Sequence, residues 1–262
     1  MMKRKMTPKS LTVVSTQKLS DSFLRIRFTG DDLQKMPEDC EGDYIKLIFN
    51  ADGTTNIDDM SETGRPLMRT YTIRHFDSAA LTLDVDFVLH DSQNHDGIAS
   101  HWAQTAKAGD TIKIGGPGHS ETIPFDLHDY VFVADMTSLP ALAVTLTKLT
   151  PDAKGTAFIQ IADASDKQEL EAPQGIDIEW LVGDHQQPLL AQSVESLASV
   201  PSKMGVWCAC EFSQMRAVRR HVSDNWSCAR ENTYFSSYWK HGVTEDGHKA
   251  LKRQDAESFN QA

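Results

Sequence analysis

Apolar and polar positions alternate with a period of two through the first half of the chain and change character after Pro124. Residues 11–17 and 22–29 are β-branched and alternating, 42–49 continues the pattern, and Leu81-Thr82-Leu83-Asp84-Val85-Asp86-Phe87 alternates over a full strand. Asp31-Asp32, Ala51-Asp52-Gly53 and Asp77-Ser78 punctuate these runs with turn residues. Short strands at such spacing predict a closed antiparallel barrel, because closure leaves no exposed strand edge. One helix is predicted in this half, over 98–107, between Gly97 and Ala108-Gly109-Asp110.

Beyond Pro124 the runs become apolar on both faces. Tyr130-Val131-Phe132-Val133-Ala134, Ala157-Phe158-Ile159-Gln160-Ile161, residues 176–182 and residues 205–209 read as strands. Helices are predicted at 139–149, in a stretch after Ile161, near 188–198 and at 212–224. Doubly apolar strands separated by helices mean a parallel sheet covered on both sides. The boundary falls in Pro124-Phe125-Asp126-Leu127-His128, so the expected domains are a β-barrel over 1–125 and an α/β domain over 126–262. The carboxyl ends of such parallel strands offer a crevice for a nucleotide.

Composition narrows the function. A length of 262 residues fits two domains, and a net charge of −11 argues against nucleic acid as a partner. No apolar run approaches the roughly 18 residues of a membrane span. The basic start, Met1-Met2-Lys3-Arg4-Lys5-Met6, is not followed by an apolar core and a cleavage site, so no secretory leader is read and cytoplasm is expected. A monomer is expected. Cys40, Cys208, Cys210 and Cys228 form no metal or disulfide framework; Cys208 and Cys210 share one strand face, as buried thiols or as a redox pair. His90, His95 and His101 are too irregularly spaced for a metal site, and none is expected. Basic residues bunch at Lys240-His241 and at His248-Lys249-Ala250-Leu251-Lys252-Arg253, either as a solvated helix face or as a patch for an anionic ligand.

The most specific chemistry lies in Arg69-Thr70-Tyr71-Thr72 followed by Gly97-Ile98-Ala99-Ser100, a split R-x-Y-T … G-x-x-S pattern. Alternation points Arg69 and Tyr71 to one face, so the guanidinium can clamp a pyrophosphate while the phenol lies against a flavin. Thr72 faces the other way, its hydroxyl and amide at the edge where flavin N5 needs a hydrogen bond. Gly97 allows close approach to a phosphate, and the amides of Ala99 and Ser100 in the first helical turn can bind it. The pattern therefore predicts FAD.

With these motifs the chain resembles the siderophore-interacting protein family, flavin-dependent ferric-siderophore reductases within the ferredoxin-NADP reductase superfamily. The resemblance covers almost the whole length. It runs through Gly42-Asp43-Tyr44-Ile45-Lys46-Leu47, the flavin strand, and Phe87-Val88-Leu89-His90 with Gly97-Ile98-Ala99-Ser100-His101-Trp102. It continues through Gly115-Gly116-Pro117-Gly118-His119-Ser120, Ala134-Asp135-Met136-Thr137-Ser138-Leu139-Pro140-Ala141, the stretch 211–220 and Tyr238-Trp239-Lys240-His241-Gly242. Ile98, His101, Met136 and Cys210 depart from the family pattern, which has proline, arginine, glutamate and glycine there.

The resemblance implies an N-terminal flavin-binding barrel and a C-terminal domain like those that bind NAD(P). It places Phe87, Val88 and His90 along the adenine or diphosphate side of FAD. Thr137 and Glu211 are candidates beside a nicotinamide, Glu211 alternatively being an acid stabilised at a helix start. Lys240, Lys249, Lys252 and Arg253 are candidates for capturing an anionic siderophore, with Tyr238 and Trp239 carrying Lys240 or simply anchoring the last segment. The implied electron source is NADH, NADPH or a ferredoxin; Asp163 favours a ribose hydroxyl and Lys167 a 2′-phosphate. Electron transfer to iron needs no proton donor or nucleophile, so no catalytic triad is expected. Two alternatives stay open: a general NAD(P)H-flavin oxidoreductase, and a siderophore-binding protein without redox function.

Overall fold

The computed structural model describes residues 7–57, 66–90, 97–197 and 203–259. The basic residues before Thr7, His95 and the last residue of the helix expected near 188–198 lie outside them. The chain divides into two units, Met1–Ser120 and Glu121–Ala262.

The first unit is a seven-stranded antiparallel sheet: β1 (Lys9–Lys18), β2 (Phe23–Thr29), β3 (Tyr44–Phe49), β4 (Leu67–Thr72), β5 (His75–Asp77), β6 (Thr82–Val88) and β7 (Thr111–Gly118). The strand order is β4-β3-β7-β1-β2-β6-β5, which sets β4 and β5 at opposite ends although two residues separate them in the chain. Those two residues close the barrel. Ile73 N donates to Asp43 O at 2.8 Å beside β3, and Arg74 N donates to Asp84 O at 2.9 Å in β6. Closure thus runs through the covalent chain and not through a β4–β5 ladder, a refinement of the closed barrel expected from the alternation.

Inward residues of β1, β2, β3, β6 and β7, among them Leu11, Ile26, Phe28, Ile45, Leu47, Val85, Phe87 and Ile114, are fully buried. The barrel is capped by α1 (Ile98–Thr105), which ends two residues earlier than the pattern predicts. Its Trp102 sits 6.1 to 6.2 Å from the rings of Phe28, Phe49 and Phe87. On the opposite face of the β2–β6 pair, Arg25 bridges Asp86 and Arg27 bridges Asp84, each through two hydrogen bonds of 2.6 to 2.8 Å.

The second unit is a parallel sheet of order β10-β9-β8-β11-β12, built from β8 (Asp129–Asp135), β9 (Lys154–Ile161), β10 (Gly175–Val182), β11 (Met204–Glu211) and β12 (Thr233–Trp239). Helices α2 (Leu139–Thr147), α3 (Leu189–Glu195), α4 (Phe212–Asn225) and α5 (Glu245–Phe259) accompany it. Every residue of β11 is buried, as the doubly apolar pattern requires. Gly155 fits β9 against β8 at φ 142°, where a Cβ would lie 1.9 Å from Tyr130 O.

The helix expected after Ile161 is absent. A single 3-10 turn, Ala164–Asp166, stands there, with Asp163 accepting from Ser165 N at 2.8 Å and Asp166 accepting from Asp163 N at 3.2 Å. The following Lys167-Gln168-Glu169-Leu170-Glu171-Ala172-Pro173 offers no apolar stripe to bury and ends in proline.

Candidate functional site

In the first unit β4 presents the R-x-Y-T residues in register with β3, Arg69 opposite Leu47, Tyr71 opposite Ile45 and Thr72 opposite Tyr44. The Tyr71 ring lies 4.5 Å from that of Phe87, tilted by 38°. Phe87 is fully buried, and its side chain supports the Tyr71 ring. Arg69 is half-buried and donates to Met68 O at 3.1 Å; Thr70 is exposed and Thr72 half-buried.

Later in the same unit, α1 opens at Gly97, an N-cap residue with no side chain of its own to cap the first amides. Ala99 and Ser100 stand in the first turn of α1, and the Ser100 hydroxyl is engaged within the chain. It accepts from His90 N at 3.2 Å and from Gln104 Nε2 at 3.4 Å, tying the residues after β6 to the helix. Gly97 has φ −97°, an ordinary conformation, so left-handed freedom is not what calls for glycine there. The His90 side chain is exposed and Val88 half-buried.

These groups fit FAD: a half-buried tyrosine ring on an aromatic support, an arginine two residues before it, and a helix start whose N-cap is glycine. Arg74, five residues beyond Arg69, was not singled out from the pattern. Its Nε is buried without a hydrogen-bond partner, 3.9 Å from the Asp86 carboxylate that Arg25 already holds. Burial, and then the Arg25 charge, pull its pKa down.

In the second unit the carboxyl ends of adjacent strands β8 and β11 carry Asp135 and Glu211. Asp135 Oδ1 accepts from Thr137 N at 2.9 Å and from Thr137 Oγ1 at 2.6 Å, while Oδ2 accepts from Trp239 Nε1 at 2.7 Å. Burial still raises its pKa against these donors. Thr137 is thereby turned onto Asp135. Glu211 caps α4, accepting from Ser213 N at 2.5 Å and Gln214 N at 3.2 Å, and also accepts from His241 N at 3.5 Å. The helix-start account of Glu211 is thus realised in its geometry, and the strand order sets the end of β11 beside the end of β8, which Thr137 follows.

Cys208 Sγ and Cys210 Sγ lie 3.9 Å apart, fully buried, and burial drives the Cys210 thiol well above the ordinary range. Both are free thiols, as are Cys40, pushed up to about 12 by burial, and Cys228. The Asp163 carboxylate accepts from Ser165 N and Oγ, and Lys167 is exposed.

The basic residues near the end do not form one patch. Lys252 turns inward and donates to Ser236 Oγ at 2.7 Å and Ser237 O at 3.4 Å, and burial lowers its pKa. Lys249 pairs with Glu245 at 3.0 Å and Asp246 at 3.5 Å. Arg253 is exposed, and Lys240 lies 4.9 Å over the Phe212 ring with Ser213 Oγ at 3.4 Å. The two capture residues expected at Lys249 and Lys252 are engaged within the chain, Lys249 with acids of its own helix and Lys252 with β12. Tyr238 and Trp239 alternate on β12: the Tyr238 hydroxyl, raised by burial, meets Tyr234, and Trp239 reaches Asp135. Among the described residues no group of three or more His, Cys, Asp or Glu could hold a metal, and no helix is long and apolar enough to cross a membrane.

Comparison with known proteins agrees with this arrangement. A siderophore-interacting FAD-binding domain matches residues 12–121, and the siderophore-interacting protein domain matches residues 127–242. A ferric vibriobactin reductase of Vibrio cholerae is 30% identical over 92% of this chain and 92% of its own. An NADPH-dependent ferric-chelate reductase of Escherichia coli is 31% identical over 68% of this chain and 72% of its own. The crystal structure of a siderophore-interacting protein from Aeromonas hydrophila has a TM-score of 0.85 at 30% identity, covering 96% of this chain and 99% of that one.

Proposed function

The chain belongs to the siderophore-interacting protein family, and from that premise we propose that it reduces the iron of ferric siderophores, with FAD as resident cofactor and a nicotinamide nucleotide as electron source. In this reading it acts in the cytoplasm as a monomer. Ferric iron is gripped by hard oxygen ligands, and adding one electron lowers its charge density and loosens that grip. FAD supplies the ability to accept two electrons together and return them singly.

The residues divide the remaining work. Arg69 contributes a charge-assisted clamp for the pyrophosphate, and the amides of Ala99 and Ser100 add neutral donors at the positive end of α1. Tyr71, backed by Phe87, offers a ring face, while Thr70, Thr72, Val88 and His90 border it, with Thr72 the residue that hydrogen-bonds N5. Thr137 and Glu211 serve the nicotinamide at the strand ends. Lys240, with exposed Arg253, attracts an anionic siderophore. The name of the Escherichia coli relative supports NADPH as donor, and exposed Lys167 is the residue available to a 2′-phosphate.

The observation that carries the reading is the Tyr71 ring resting 4.5 Å from that of Phe87, on the strand that bears Arg69. Purified protein should be yellow, bleach anaerobically with NADPH or NADH, and regain colour when a ferric siderophore is added, with Fe(II) appearing in a ferrous chelator. Bleaching without release of Fe(II) would leave a general flavin oxidoreductase; colourless protein that cannot take up FAD would remove the redox reading altogether.

A further inference from the structure

The loop after β10 lies over the nucleotide end of the parallel sheet. Strands β10 and β12 are the two edges of the sheet, so β9, beside β10, is three strand spacings from β12, roughly 14 Å. Gln160, near the end of β9, donates from Nε2 to Asp184 O at 2.7 Å and so pins the base of the loop across its neighbour strand. Gln160 is itself fixed by Gln214 of α4, whose Nε2 donates to Gln160 Oε1 at 2.7 Å and whose Oε1 accepts from Leu190 N at 3.1 Å. The loop also bonds within itself, Gln187 N to Asp184 O at 2.9 Å and Gln186 N to Asp184 Oδ1 at 2.7 Å.

The tip of this loop reaches the far edge. His185 Nε2 and His241 Nδ1 share a hydrogen bond of 2.9 Å, and the His185 ring meets the Trp239 ring edge-on at 5.2 Å. Trp239 in turn holds Asp135 at the end of central strand β8, and His241 N is held by Glu211 at the end of β11. One connected set of side chains therefore runs from β9 to the residues after β12, over the carboxyl ends where a parallel α/β sheet receives a nucleotide. Its base rests on the buried Gln160–Gln214 pair; its tip, where His185 is half-buried and His241 exposed, is held by the hydrogen bond between the two histidines and by the His185–Trp239 ring contact.

We infer that residues 183–188 are a strap latched by the His185–His241 pair, and that a nicotinamide nucleotide gains the crevice by releasing this latch. The latch then sets the apparent affinity for the electron donor: the free energy needed to open it is subtracted from binding, so weakening it tightens binding. A hydrogen bond of this kind has a net worth that translates into about a two- to tenfold change in Kd. The Gln160 anchor and α3 are untouched by changes at the tip; His185→Ala also loses the 3.6 Å approach to Asp184 and the Trp239 ring contact, whereas His241→Ala loses neither, so an effect shared by both variants belongs to the latch.

This rests on the reading that the C-terminal unit receives a nicotinamide nucleotide. The test is calorimetric titration of the FAD-loaded protein with NADP+ and with NAD+, which reads binding without turnover, for the parent chain, His185→Ala and His241→Ala. Both variants should bind the preferred nucleotide two- to tenfold more tightly, with flavin content unchanged. If the parent chain binds and the variants bind equally or more weakly, the latch is overturned while the nucleotide reading stands. If the parent chain is silent and the variants bind, the latch is supported in its strongest form. If none of the three binds either nucleotide, the nucleotide reading falls and the latch falls with it.

Discussion

Trp239 Nε1 donates to Asp135 Oδ2 at 2.7 Å, joining the last strand of the parallel sheet to the end of its central one across 104 residues of chain. The carboxylate is buried, and its pKa is raised above the ordinary 3.8 chiefly by that burial. A native pKa above the unfolded one means the folded state binds the proton more tightly. The contribution to stability is complete below the unfolded value and is lost as pH rises through the native one. The stability of the parent chain relative to Asp135→Asn should therefore increase as pH falls from neutral toward 3.8. Urea unfolding of both at a series of pH values reads this difference; a flat or opposite trend would mean that the hydrogen bonds outweigh desolvation.

Arg69→Ala should lower the affinity for FAD by roughly ten- to hundredfold, the worth of a charge-assisted hydrogen bond at about 1.5 to 3 kcal/mol. The ratio of flavin to protein absorbance after gel filtration measures it. Full occupancy in the variant would show that Arg69 holds no phosphate.

Asp86 serves two arginines, hydrogen-bonded to Arg25 and 3.9 Å from Arg74, whereas Asp84 serves the more exposed Arg27. Removing a buried partner leaves uncompensated charge, costing about 3 to 5 kcal/mol. Asp86→Ala should reach that range and Asp84→Ala should cost less, by chemical denaturation. Equal losses would mean that Arg74 makes no demand on Asp86.

Helix α5 docks through His248, whose Nε2 lies 2.9 Å from Ser237 Oγ. Burial, and then the charge of Lys252, lower its pKa below 6.5; Glu245 and Glu211 oppose the shift and Lys240 adds to it. A depressed native value means this stabilisation is present above 6.5 and is lost as pH falls through the native value. Amide exchange across residues 245–259 should quicken at acid pH in the parent chain beyond its intrinsic pH dependence, and His248→Gln should lack that extra change.

Lys240→Ala should raise KM for an anionic catecholate siderophore roughly two- to fivefold, the range of an exposed ion pair, and barely alter KM for a neutral hydroxamate complex. Equal effects on both substrates would assign Lys240 to packing on Phe212.

Local periodicity carried much of this architecture. The alternation at 81–87 became β6, and the doubly apolar run at 130–134 became β8, because burial on one or two faces leaves its mark on consecutive residues. Strands β5, β7 and β12 and helix α5 escaped. β5 is three residues long, and α5 buries only His248, so neither leaves an apolar period to read. Asp163 looked like a ribose contact and proved also to cap a turn, since a short acid after a strand suits both.

What the order of residues determined by itself was the conjunction of Arg69 and Tyr71 on one strand face with amides at the start of α1, and the change from alternating to doubly apolar strands near Pro124. These are short-range facts, set by the periods of strand and helix. Tertiary structure alone decided that Ser100 spends its hydroxyl on His90, that Lys252 turns inward to Ser236, and that His185 reaches across the sheet to His241. Those pairings join residues whose neighbours in sequence say nothing of each other, because the partner of a polar group is chosen by which strands and helices the fold sets side by side.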